Sequence, residues 1–261
     1  MHENGTLVYA TQEVPLSKQV TTLLRDSGAS PVEFDVQALI VPDTNLLSGG
    51  SVAADVYASL PDRSVYENVL VVAPSHDEEE FRRISICNLD TYHSPLGDVR
   101  VDDRVRNELC DEDDDIFVDN RGHFQHTGMD VQLPFLQSVL DDFSVVPLVM
   151  GHESPEFCQE LGHAVGEMMF NRPTLVIASV DIVRATEKGL REFEAALRKM
   201  DVDRLTVLLN REDDIRVRGK GALIVALIAS LGRRADSIHL SSLTAPTDEH
   251  PGYVGALIGR S

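Results

Sequence analysis

Seven short apolar runs, each bounded by turn-forming residues, constrain the fold of this chain more than any other feature. They are VQALIV (36–41), NVLVVA (68–73), RISICN (83–88), VVPLVM (145–150), TLVIAS (174–179), SIHLSS (237–242) and YVGALI (253–258). Several are continuous rather than alternating, the pattern of strands covered on both faces. Between them, segments 15–25, 49–60, 155–170, 187–200 and 221–231 carry apolar residues at three- and four-residue spacing and read as helices. Strand and helix alternate along most of the chain, so the expected class is α/β, with helices on both faces of one sheet. The 261 residues show no internal repeat and no Gly/Ser- or Pro-rich linker, so one domain spanning 1–261 is expected.

Charge narrows the partners. The chain has 43 acidic and 23 basic residues, a formal charge of −20. An acidic surface of this kind repels phosphate backbones and anionic headgroups, so neither nucleic acid nor membrane is an expected partner. No apolar run approaches the ~20 residues of a membrane-spanning helix. The opening MHENGTLVYATQEV lacks the basic and apolar regions of a secretory signal. Cys87, Cys110 and Cys158 are odd in number and form no CxxC pair, which fits a reducing cytoplasm rather than a disulfide or zinc framework. The run DEDDD (111–115) lacks the alternating ligands and turn glycine of a calcium loop and reads as a solvated loop.

Two stretches carry candidate chemistry. In ALIVPDTNLLSGGSVAADVY (38–57) a strand passes through a polar turn into a glycine-led, alanine-rich helix, whose free amides favour anions. In VLVVAPSHDEEE (69–80), Ser75 and His76 sit just past a strand end, where open α/β sheets bind ligands. Ser75 and His76 are neighbours on extended chain and point apart, so they are not a ready nucleophile–base pair. There is no GxSxG elbow, phosphate loop or dinucleotide fingerprint.

Taken in order, PDTN (42–45) with SGGSVAADVY (48–57), APSH (73–76), SPLGDVRVD (94–102) and QHTGMDVQLPFLQ (125–137) give the chain its strongest resemblance. SVDIVR (179–184) and RGKG (218–221) add weaker matches. The pattern resembles the Memo family, related in fold to class III extradiol ring-cleaving dioxygenases. The resemblance implies a layered α/β/α domain with a mixed, largely parallel central sheet. It also implies a pocket in which a histidine of the first motif, the histidine of the second and a late cysteine can hold a metal ion.

The chain departs from that pattern at the ligands. The three positions fall on Asp43, His76 and Arg218, so only one histidine remains. A further family histidine falls on Thr127, with His126 one residue early. In the SVDIVR stretch Asp181 keeps the family's aspartate, while Arg184 stands where it has histidine. Imidazole and thiolate donate lone pairs to transition metals; guanidinium has none and stays protonated. The expected pocket therefore gathers Asp43, Ser75, His76, His126, Asp181, Arg184 and Arg218, with Arg218 paired to Asp43 and Arg184 turned toward Asp181. It is expected to hold no metal and no cofactor. The favoured function is a binding or scaffold protein for an unidentified protein partner or a small anionic ligand. Two enzyme readings stand beside it: a non-haem metal enzyme using Asp43, His76 and His126, and a metal-free hydrolase or lyase using Asp43 or Asp181 as base and His76 as acid.

Overall fold

In a computed structural model, the described residues are 2–3, 6–7, 12–61, 65–76, 81–112, 115–123 and 128–261. The chain begins with the two-residue strands β1 (His2–Glu3) and β2 (Thr6–Leu7), then α1 (Glu13–Asp26), β3 (Asp35–Val41), α2 (Gly50–Ala58) and β4 (Asn68–Pro74). Next come β5 (Ile84–Ile86), the hairpin β6 (Thr91–Ser94) and β7 (Gly97–Arg100), α3 (Asp103–Glu112), β8 (Ile116–Val118) and α4 (Gly128–Val139). The second half runs β9 (Ser144–Met150), α5 (Pro155–Met168), β10 (Thr174–Ser179), β11 (Asp181–Ala185), α6 (Glu187–Leu197) and α7 (Val202–Arg211). It closes with β12 (Ile215–Arg218), α8 (Lys220–Gly232), β13 (Ser237–Leu243) and β14 (Gly252–Arg260).

Among the described residues, ten strands form one mixed sheet in the order β12-β11-β14-β3-β10-β4-β9-β5-β8, with β13 paired to β14. Its centre, β3-β10-β4-β9, is parallel throughout. Adjacent residues of these strands point to opposite faces, and both faces are covered. Ala38 and Ile40 of β3, Leu70 and Val72 of β4, and Val176 and Ala178 of β10 join a core with α5 and α8. Leu39 and Val41, Val69 and Val71, and Leu175 and Ile177 join a second core with α2 and α4. Burial on both sides, on the order of 1.5–3 kcal/mol for each Val, Leu or Ile, is why these strands read as continuous apolar runs. Helix α8 is apolar nearly all round and is buried from Gly221 to Leu227. No helix among the described residues is long and apolar enough to cross a membrane.

Several elements escaped the sequence patterns. Helix α4 contains Pro134 and is buried on almost every side, so it shows no polar face for periodicity to register. β11 and β12 are short, and in β12 Arg216 and Arg218 alternate with buried Ile215 and Val217. The acidic run at 111–115 begins inside α3 rather than in a loop; residues 113 and 114 lie outside the described residues.

The parallel register sets up the site. Ser179 of β10 is level with Val41 of β3, and Ala178 is level with Val72 of β4. The chain segments leaving β3, β4 and β10 therefore emerge side by side at the C-terminal edge of the sheet. The Val180 amide donates to the Val41 carbonyl at 2.8 Å, extending the ladder to that edge.

Candidate functional site

Asp43, two residues past the end of β3, has a side chain with no solvent exposure. A buried carboxylate must collect donors or neutralise. Its Oδ1 accepts from Ser179 Oγ at 2.7 Å, and its Oδ2 lies 2.8 Å from His76 Nε2. The contact is a hydrogen bond between the imidazole edge and the carboxylate. The Arg218 guanidinium closes the arrangement from β12, with Nε 3.5 Å from the same Oδ2.

Asp181, the first residue of β11, is equally buried and sits beside Asp43. Its Oδ1 accepts the Asp43 backbone amide at 3.1 Å, and its Oδ2 accepts Arg218 Nη2 at 2.8 Å. One guanidinium thus spans two buried carboxylates. Burial, and next the negative charge of Asp43, pushes Asp181 up to about 6, against the pull of Arg218.

A second layer holds Asp43 in place. Gln132 of α4 donates from Nε2 to the Pro42 carbonyl at 2.8 Å and to Ser179 Oγ at 3.3 Å. Tyr57 of α2 donates to Gln132 Oε1 at 3.0 Å, while its ring stacks on Phe135 with centroids 5.1 Å apart. Helix α4 starts directly against this network. A Cβ at Gly128 would lie 2.5 Å from Ser179 Oγ and 2.8 Å from Asp43 Oδ1, so only glycine lets the helix begin there. Gly219, at φ +78°, makes the turn from β12 into α8, and a Cβ there would run into the Ser179 carbonyl oxygen.

Beside the network opens a cleft of about 680 Å³, lined in part by Ser75, Glu153, Glu212, Arg216, Arg218 and Lys220. Glu153 accepts the Gly221 amide at 2.8 Å at the start of α8. Burial pushes its carboxyl up to about 7, against that hydrogen bond and the Lys220 charge. Lys220 Nζ in turn lies 3.0 Å from Glu212 Oε1.

The structure therefore brings Asp43, His76, Asp181 and Arg218 into contact and puts Ser75 on the adjoining cleft wall. Arg218 does pair with Asp43, at 3.5 Å, and makes a second, shorter contact with Asp181 at 2.8 Å, because the end of β12 pairs in register with the start of β11. One expectation changes. Arg184 does not serve Asp181; it is exposed and donates to the carbonyls of Glu212 at 2.6 Å and Asp213 at 3.2 Å. Past the register shift between Ile182 and Arg184, Arg184 is level with Arg216 and its side chain reaches the turn between α7 and β12. His126 lies outside the described residues. Sequence reasoning missed Ser179, Gln132, Tyr57, Gly128 and Glu153. Gln132 did leave a signal, as a polar side chain inside the otherwise apolar VQLPFL.

These residues do not suit a transition metal. Arg218 offers no lone pair, and the Asp43 oxygens and His76 Nε2 are engaged with one another, with Ser179 and with Arg218. Among the described residues, no three His, Cys, Asp or Glu side chains are grouped to hold one.

The chain matches the family model described as Memo-like protein over residues 3–256. It belongs to that family. It is 29% identical to a MEMO1 family protein of Saccharolobus solfataricus over 234 residues, 84% of this chain and 82% of that one. Against a MEMO1 family protein of Methanothermobacter thermautotrophicus it is 25% identical over 215 residues, 82% of this chain and 75% of the relative. Its fold resembles that of an uncharacterized protein from Escherichia coli K12, with a TM-score of 0.57 at 16% identity, covering 86% of this chain and all of the other. For this Memo-like chain, the two arginines in the SVDIVR and RGKG motifs have separate tasks: Arg218 spans the buried carboxylates, and Arg184 braces a surface turn.

Proposed function

We propose that this Memo-like protein has exchanged metal chemistry for a fixed ion-pair network and works by binding, in the cytoplasm, rather than by catalysing a reaction. The observation that carries the reading is Arg218, whose guanidinium lies against Asp43 and Asp181 at the position where the resemblance implies a metal-binding cysteine. A permanent cation there supplies the positive charge that two buried carboxylates require, and it would repel a metal ion at contact distance. What remains accessible is the neighbouring cleft, whose volume suits a small ligand. Arg216 and Lys220 on its wall, beside Glu153 and Glu212, favour a small anion, and a protein partner could reach the same opening with an acidic side chain.

The test is titration of the purified protein with Fe(II), Cu(II) and Zn(II), beside a variant carrying Asp43→His and Arg218→Cys. The unaltered protein is expected to show no saturable one-to-one site, and the variant to gain one. Stoichiometric binding by the unaltered protein, abolished by His76→Ala, would instead support a metal enzyme built on Asp43, His76 and His126.

A further inference from the structure

Glu212 is an unusual residue for its place. It ends α7 in the left-handed region at φ +54°, where glycine or asparagine is the usual choice and another residue carries a backbone cost. The sequence accepts that cost and holds the turn from outside, with Arg184 donating to the Glu212 and Asp213 carbonyls. The outcome is a carboxylate delivered to the wall of the cleft. There its oxygens take separate cations: Oε1 lies 3.0 Å from Lys220 Nζ, and Oε2 lies 3.5 Å from Arg216 Nε.

The cations are as informative as the acid. The chain has four lysines and a charge of −20, yet Lys220 lines this cleft, with its side chain only 18% exposed. Arg216 enters the same cleft from β12. A purely structural ion pair gains little at a solvent-open wall. The Glu212 side chain is 36% exposed, so its carboxylate has solvent to turn into.

The geometry points to a carboxylate-binding site formed by Lys220 and Arg216, with Glu212 as its built-in competitor. The ligand is a small organic acid whose carboxylate bridges the two cations as the Glu212 carboxylate does, its body lying in the 680 Å³ cleft. The Arg184 brace keeps the competitor's backbone in place, so the side chain alone swings out when ligand enters. This inference rests on reading the protein as a binder, and it gives that binder a ligand class and a gate.

The experiment is calorimetric titration with succinate, and with inorganic phosphate for comparison, in buffers stripped of metal over a chelating resin. A tethered competitor at an effective concentration in the millimolar range weakens a ligand of similar intrinsic strength several-fold or more. Glu212→Gly removes the carboxylate and suits the left-handed backbone; Glu212→Gln removes only the charge. Both are expected to bind succinate more tightly than the unaltered protein, Glu212→Gly by roughly two- to fivefold. Adding Lys220→Met to Glu212→Gly is expected to abolish the gain. Affinity unchanged or weakened in both Glu212 variants overturns the proposal, as does a gain that survives Lys220→Met. Phosphate binding as tight as succinate would also overturn it, since the site would then not be selective for a planar carboxylate. Failure of the binder reading shows separately, as succinate binding that appears only when metal is returned.

Discussion

Replacing Arg218 with methionine keeps most of the side chain's bulk and removes its charge, which isolates what the guanidinium contributes. Two carboxylates with no solvent exposure then lose their shared cation. Breaking a buried ion pair from one side costs roughly 3–5 kcal/mol. The lower end applies here for three reasons. Arg218 is 34% exposed, Asp43 keeps Ser179 and His76, and Asp181 keeps the Asp43 amide. The expected loss near neutral pH is therefore about 3 kcal/mol. The loss also has a sign in pH. Asp181 is raised from its ordinary 3.8 to about 6, so its contribution to stability is full below the ordinary value and fades as pH rises through about 6. Removing Arg218 raises that carboxyl further, so the penalty should be largest above about pH 7 and shrink toward pH 4. Urea denaturation followed by circular dichroism, with both proteins compared at each pH, measures this directly. In double-mutant cycles, Arg218 should couple more strongly to Asp181, at 2.8 Å, than to Asp43, at 3.5 Å. A cost near zero at neutral pH, a cost that does not change with pH, or the reverse order of couplings would refute the reasoning.

Three further outcomes follow from the same geometry. Gly128→Ala should destabilise by about 1–3 kcal/mol, because its methyl group meets Ser179 and Asp43 where neither has room to retreat; chemical denaturation checks this. Tyr57→Phe keeps the stack on Phe135 but removes the donor to Gln132, so a loss of about 1 kcal/mol is expected, and no loss would show that the network does not reach α2. Glu153 sits at about 7 against an ordinary 4.5, so its contribution is full below 4.5 and lost as pH rises through about 7. Glu153→Gln should flatten the stability profile across that window, and an unchanged profile would contradict the assignment.

The central strands were legible because the apolar runs 36–41, 68–73 and 174–179 are buried on both faces, which no surface helix requires. The closeness of Asp43, His76 and Arg218 was legible through family motifs, not through any local property of those residues. The second partner of Arg218, Asp181, was not legible, because it depends on the pairing of β11 with β12, set by a five- and a four-residue strand with weak patterns. Arg184 was misplaced for the same reason: it lies three residues beyond Asp181 and past a register shift in the β11–β12 pairing that no sequence pattern marks. Ser179 and Gly128 were hidden differently. Each looks ordinary in sequence, and only the approach of α4 to the end of β10 gives either a role.

What occupies the space between Asp43, His76 and Asp181 decides between an ion-pair network and a metal site. A crystal structure of the purified protein, grown with added iron and copper and measured at both absorption edges, addresses this most directly. The expected map shows the Arg218 guanidinium against both carboxylates, with no anomalous peak between Asp43 and His76. An anomalous peak within bonding distance of Asp43 and His76, with Arg218 turned away, would contradict it.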